Sequence, residues 1–113
     1  MKSCLFCRII AKEIPAAFEY QSERLVAIRD VNPQAPTHLL VIPRKHIERV
    51  SQVEKNDVSL LGEMVFCAKE LAHEKKLEEG FRLIFNNGSK AGQSVYHIHL
   101  HLLGGRMMTW PPG

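Results

Sequence analysis

His97-Ile98-His99-Leu100-His101-Leu102-Leu103 alternates imidazole with aliphatic side chains. Extended backbone sends successive side chains to opposite faces, so a strand from Val95 to Leu103 carries three histidines on one face and Ile98, Leu100 and Leu102 on the other. The aliphatic row then faces a core and the imidazole row faces a site. Neighbouring imidazoles on such a strand stand about 6.5 to 7 Å apart, which lets one large anionic group span all three. Imidazole acts as nucleophile, hydrogen-bond donor or general acid near neutral pH, so the pattern points to phosphate chemistry. The plain alternatives are a half-buried edge strand that happens to carry histidines, or an accidental metal-chelating stripe. Against them, three of the chain's six histidines fall within five residues in strict alternation.

Upstream, Phe81 to Phe85 reads as a strand and Asn86 to Ser94 as a loop rich in Asn, Gly and Ser. That loop is too short for a crossover helix, so the two strands flanking it pair antiparallel. Two further strand-like runs, Leu25 to Arg29 and His38 to Pro43, are separated by Asp30 to Thr37, whose two prolines mark a loop. Leu5 to Ala11 suits a short helix stopped before Pro15. Ser51-Gln-Val-Glu54 matches a capping box, and a longer helix is expected from about Asp57 to Lys76, with Leu61, Met64, Val65, Ala68, Leu71 and Ala72 as its apolar stripe and Gly80 ending the region. Cys67, inside that helix, reads as a small buried hydrophobe. The fold class is α+β, a mainly antiparallel sheet with one principal helix on a face and a short N-terminal helix.

The 113 residues suit a single domain, 1–113, able to bury a core without disulfides. Hydrophobic content of 45% and charged content of 24% are ordinary for a globular protein. A net charge of +3 with scattered basic residues gives no support for a nucleic-acid groove. No apolar run is long enough to span a membrane, and Met1-Lys2-Ser3-Cys4 lacks a signal peptide's continuous apolar region. Three cysteines do not make a disulfide framework, so a cytoplasmic location is expected.

Chemistry concentrates in two places. In the loop before the histidines, Gly88 and Gly92 let backbone approach a ligand, while Asn86, Gln93, Ser94 and main-chain N–H groups offer donors to phosphate oxygens. The loop could equally be an ordinary hairpin connection, but its place beside the histidines favours a phosphate cradle. His99, central in the row, is the expected nucleophile, with His101 donating to the phosphate and a neighbouring group fixing the His99 tautomer. The second place is Cys4-Leu-Phe-Cys7 with His46 and His97, which would fill a closed tetrahedral zinc site. A reduced cysteine pair or a redox pair fits the CxxC as well. His38 has no evident partner and reads as structural.

Asp30-Val-Asn-Pro-Gln-Ala-Pro-Thr-His38, Val41-Ile-Pro-Arg-Lys-His46 and Gly92-Gln-Ser-Val-Tyr-His-Ile-His-Leu-His-Leu-Leu-Gly-Gly-Arg106, with the ending Trp110-Pro-Pro-Gly113, resemble the histidine triad (HIT) superfamily. The branch most similar is that of the histidine triad nucleotide-binding proteins (HINT), purine nucleoside phosphoramidate hydrolases. The resemblance covers nearly the whole chain. It implies a five-stranded HIT-like sheet and a homodimer in which two sheets join. It also implies a nucleoside monophosphate (AMP) site with a catalytic triad of His97, His99 and His101, His99 being the nucleophile. Asn86, Gly92, Ser94, the Val95 main chain and His101 would surround the α-phosphate. Asp30 would accept from the ribose, and Leu5, Phe6, Ile9, Ile28 and Val31 would enclose the base.

Many close relatives lack the CxxC. Some bacterial members and the related galactose-1-phosphate uridylyltransferases bind zinc through a similar set, which implies a structural Zn2+ on Cys4, Cys7, His46 and His97 and none required for catalysis. A metal-bound His97 would pin the strand and not shuttle protons. Thr109 marks a second departure, in a tail that approaches the neighbouring subunit's site in this family and bears on leaving-group preference. The implied activity is cleavage of the P–N bond in adenosine or guanosine 5′-phosphoramidates, including aminoacyl adenylates, through a nucleotidyl-histidine. The alternatives are a regulatory nucleotide-binding module, or a dinucleoside polyphosphate hydrolase or nucleotidyl transferase of another HIT branch.

Overall fold

Five strands form one antiparallel sheet in a computed structural model that describes residues 3–113. Met1 and Lys2, where the reading of the N-terminus begins, lie outside the described residues. The strands are β1 (Phe18–Gln21), β2 (Leu25–Arg29), β3 (Thr37–Pro43), β4 (Phe81–Ile84) and β5 (Leu100–Gly104), in the order β1-β2-β3-β5-β4. Among the described residues two α-helices accompany them, α1 (Leu5–Ile10) and α2 (Val58–Glu74), with short 3₁₀ turns between elements. No described helix is long and apolar enough to cross a membrane.

Alternation along the paired strands divides two cores. Val41 pairs with Leu100 and Leu39 with Leu102, and these join Leu25, Ala27 and Ile98 against the Leu60, Met64, Ala68, Leu71 face of α2. Val26, Ile28, Leu40 and Ile42 point the other way and pack with Phe6 and Ile9 of α1. A strand covered on both faces needs apolar residues at successive positions, which accounts for the unbroken buried runs of β2 and β3. His38 and His101 share the α1 side of the sheet, since His101 pairs with Leu40.

The α+β reading holds, with differences at the level of elements. The histidine strand begins at Leu100, not Val95. Ile98 N–H donates instead to Ile47 O at 2.6 Å, outside the regular β3 ladder. β1 has no counterpart among the runs read from the sequence: it is four residues long with a register break between Phe18 and Tyr20. It is an edge strand, and Glu19 at the break pairs with Arg29 at 2.7 Å and Lys75 at 2.8 Å, tying the edge to the end of α2.

The buried face of α2 includes Leu60 and Cys67, whereas Val65 is 43% exposed and Leu61 only partly buried. Apolar neighbours at 60–61 and 64–66 left the stripe's phase ambiguous by one residue. The capping box falls not at Ser51 but between Glu54 and Asp57, with Glu54 N–H bonded to Asp57 Oδ2 at 3.0 Å. Ser51 N–H is taken by Asn87 Oδ1 at 2.8 Å. Gly80 does not stop the helix. Lys76 does, in left-handed conformation (φ 60°), with Leu77 N–H bonded to Ala72 O and Lys76 N–H to His73 O.

Candidate active site and metal centre

His97 is wholly buried, and its ring is fixed by backbone. Nε2 lies 2.7 Å from Pro43 O, and a carbonyl can only accept, so Nε2 carries the proton and Nδ1 is a lone pair. That lone pair faces Cys4 Sγ at 3.4 Å, Cys7 Sγ at 3.5 Å and His46 Nδ1 at 3.1 Å, while Cys7 Sγ lies 3.4 Å from His46 Nδ1. All four donor atoms fall within 4.8 Å of one another. Zinc bond lengths of about 2.0 to 2.3 Å give a tetrahedron with edges of about 3.3 to 3.8 Å, so three of the four separations fall in that range and the fourth just below it. The CxxC is built into a helix start: Cys4 is the N-cap of α1 and its Sγ accepts from Cys7 N–H at 3.3 Å. Burial, and then the neighbouring Cys4, push the Cys7 thiol up to about 11; a cation among the four donors would reverse that. Both nitrogens of His97 are therefore engaged away from the His99 and His101 rings.

The same reasoning fixes the other histidines. His99 Nδ1 lies 2.7 Å from His97 O, so it bears the proton and Nε2 is left bare. Phe6 packs edge-on against this ring, with centroids 5.0 Å apart. Burial holds His99 below the usual imidazole range, opposed by the bond to His97 O and by the charge of Asp30. The His101 ring is 5.0 Å away. The expected even row of three imidazoles is thus a pair, with His97 turned to the metal centre.

His38, read as structural, proves to be a partner of that pair. Gln34 N–H donates to its Nδ1 at 3.0 Å, which puts the proton on Nε2, 2.9 Å from His101 Nδ1 and 3.4 Å from Asp30 Oδ2. His101 accepts at Nδ1 and so carries its own proton on Nε2. Burial, with His99 and His38 nearby, pushes His101 down to about 4. Asp30, His38 and His101 bring three metal-type donors within 4.8 Å, but the Gln34 N–H keeps a proton on the His38 nitrogen a cation would need. The trio is a hydrogen-bond relay.

His38 and His101 open onto a groove of about 650 Å³ shared with Asn86, Ala91, Arg82, Trp110 and Pro112. The tail, expected beside a partner's site, here lines its own chain's groove, with Arg82 donating to Thr109 O at 2.8 Å. Gly92 takes φ 92° after a short turn at Ser89–Ala91, a conformation L side chains rarely adopt. Gln93 is not a free donor. Its Oε1 accepts from Gly88 N–H and its Nε2 donates to Glu48 O and Val95 O, so it braces the loop from within.

Ser94 is exposed, and Val95 is partly buried against the α1-side core. Phe6, Ile9 and Ile28 belong to the α1-side core, whereas Val31 is fully exposed and Leu5 is 43% exposed. Asp30 Oδ1 accepts from Asn32 N–H at 2.8 Å.

Residues 3–110 match the family described as scavenger mRNA decapping enzyme C-term binding. The chain is similar to an uncharacterized HIT-like protein of Synechocystis, 48% identical over 96% of both chains. It is also similar to a 14 kDa zinc-binding protein of Zea mays, 47% identical over 96% of this chain and 87% of the other. In three dimensions it superposes on a HIT family hydrolase from Legionella pneumophila with a TM-score of 0.96 and 54% identity, over 98% of this chain and 100% of that one.

Proposed function

The chain belongs to the histidine triad family, and on that premise we propose that it hydrolyses purine nucleoside 5′-phosphoramidates through a nucleotidyl-His99 intermediate. The observation that carries this reading is the bare Nε2 of His99, set by the bond from Nδ1–H to His97 O. Attack of Nε2 on phosphorus breaks the P–N bond. The electron pair leaves on the amine nitrogen, which takes a proton from water in the open groove. A second water attacks phosphorus, the P–Nε2 pair returns to the ring, and nucleoside monophosphate leaves as that water's proton passes to solvent.

His101 holds Nε2–H toward a phosphate oxygen, and His38 keeps that tautomer in place. Both rings are neutral in this arrangement and have no net proton to release, so they stabilise charge and are not acids. Asn86, Ser94 and main chain at Gly92 and Val95 complete the phosphate site. Asp30 takes the ribose, and the base lies against Phe6, Ile9 and Ile28 with Leu5 and Val31 folding over it. Zn2+ on Cys4, Cys7, His46 and His97 would supply a cross-link, and its four protein ligands leave no position for substrate. β4 is an edge strand, and the exposed Val65 and Phe66 of α2 add apolar surface, which supports a homodimer. We place that dimer in the cytoplasm.

A second reading, cleavage of a phosphoanhydride by the same His99 step, is favoured by the match to the decapping-enzyme family. Steady-state hydrolysis of a tryptamine adenosine phosphoramidate against a diadenosine polyphosphate, by wild type and His99→Ala, separates the two. Intact-mass detection of adenylated enzyme identifies the nucleophile. Faster P–N cleavage that vanishes in the variant supports the proposal, and preference for the polyphosphate supports the second reading. No turnover of either, with AMP still bound, would leave a nucleotide-binding module.

A further inference from the structure

We propose that the Cys4, Cys7, His46 and His97 cluster positions His99 through Phe6 and the His97 carbonyl, so that metal binding and nucleotide binding strengthen each other. This rests on the nucleotide reading of the His99 site. α1 has six residues, too few to persist as an isolated helix, and its N-terminal end carries the two cysteine donors. Between those cysteines, Phe6 stands with its ring 6.0 Å from that of His97 and 5.0 Å from that of His99, nearly perpendicular to both. His97 reaches His99 a second way, because its carbonyl holds the nucleophile's Nδ1 proton at 2.7 Å. A third segment is fastened at the same point: Ile47, next to His46, accepts from Ile98 N–H at 2.6 Å.

Four donors on three separate segments therefore converge one residue away from the backbone and ring contacts that orient His99. A cation held there restricts α1, the segment after β3 and the histidine segment together. A nucleotide whose base lies on Phe6 and whose phosphate meets His99 requires the same arrangement. Two ligands that order one set of segments assist each other, and thermodynamic linkage makes the factor equal in both directions.

The test measures AMP affinity calorimetrically for Zn2+-loaded and metal-free wild type, with near-UV circular dichroism to follow the fold. It also measures Zn2+ affinity by competition with a chromophoric chelator, with and without saturating AMP. The expected result is a factor on the order of tenfold, the same in both measurements. Phe6→Leu, which stays apolar but is smaller and loses the ring between the histidines, should retain Zn2+ affinity in the absence of AMP, while the factor, measured at AMP concentrations that saturate the variant, falls toward one. If metal-free protein loses its fold, the chelator measurement on loaded protein decides alone. Zn2+ affinity unchanged by AMP overturns the coupling, and an undiminished factor in Phe6→Leu overturns the part given to Phe6. Failure of loaded wild type to bind AMP overturns the nucleotide reading and the coupling with it.

Discussion

At the scale of single residues, orientation is set by which partner can only donate or only accept. The Pro43 and His97 carbonyls and the Gln34 N–H settle the tautomers of His97, His99 and His38, and His38 in turn settles His101. Replacing His38 by Phe removes the donor to His101 Nδ1, frees that ring to carry its proton there, and turns a bare Nε2 toward the phosphate. Turnover should fall on the order of a hundredfold, the usual cost of one donor aimed at developing charge. Unchanged steady-state kinetics would remove His38 from the relay. Gln93→Leu should lower stability by about 2 to 3 kcal/mol in urea unfolding, since it strands the Gly88 N–H and two carbonyls.

His101, pushed down to about 4, stays neutral in the fold at pH values where it titrates in the unfolded chain. Its depressed pKa means the unfolded state binds more protons as pH drops. Stability present above about 6.5 should therefore be lost progressively toward pH 4. Thermal melts across that range check the sign, and His101→Asn should flatten the loss. His99, His101 and the CxxC were legible at this scale because their patterns are local. The role of His38 was not: its partner is 63 positions away and meets it only through the β3–β5 register.

At the scale of elements, both helices end on a lysine in left-handed conformation, Lys12 (φ 64°) and Lys76 (φ 60°). Glycine adopts that region without the steric cost of a Cβ, so Lys76→Gly should stabilise by up to about 1 kcal/mol in denaturant titration. Gly104→Ala should do the opposite, because a Cβ there would stand 2.6 Å from the buried Leu77 side chain that follows α2. β2, β3 and the body of α2 were readable from apolar runs and helical spacing. The phase of α2 was not, since adjacent apolar residues leave two faces nearly equal and packing against the sheet chooses between them. β1 carries no such pattern, because an edge strand of four residues, fastened by Glu19 ion pairs, needs little apolar alternation.

At the scale of the whole molecule, the sheet separates an α2-side core from the α1 side, where the metal centre, His99 and the relay lie in one continuous layer. Metal removal by a chelator should lower the melting temperature, each kcal/mol of lost binding costing about 4 to 8 °C for a domain of this size. Cys7→Ser should reproduce much of that loss without chelator. The order of residues by itself determined the α+β class, the alternation that sends Ile98, Leu100 and Leu102 to a core, and the inventory of donors in the CxxC and its histidines. Those properties follow from local periodicity and side-chain chemistry. Only the tertiary structure decided which histidine serves which centre, because a ring's role depends on the atom facing each nitrogen: Gln34 and the His97 carbonyl are near their rings in sequence, but Pro43, Cys4, Cys7 and His46 are distant from His97, and His38 from His101, and folding alone brings them together.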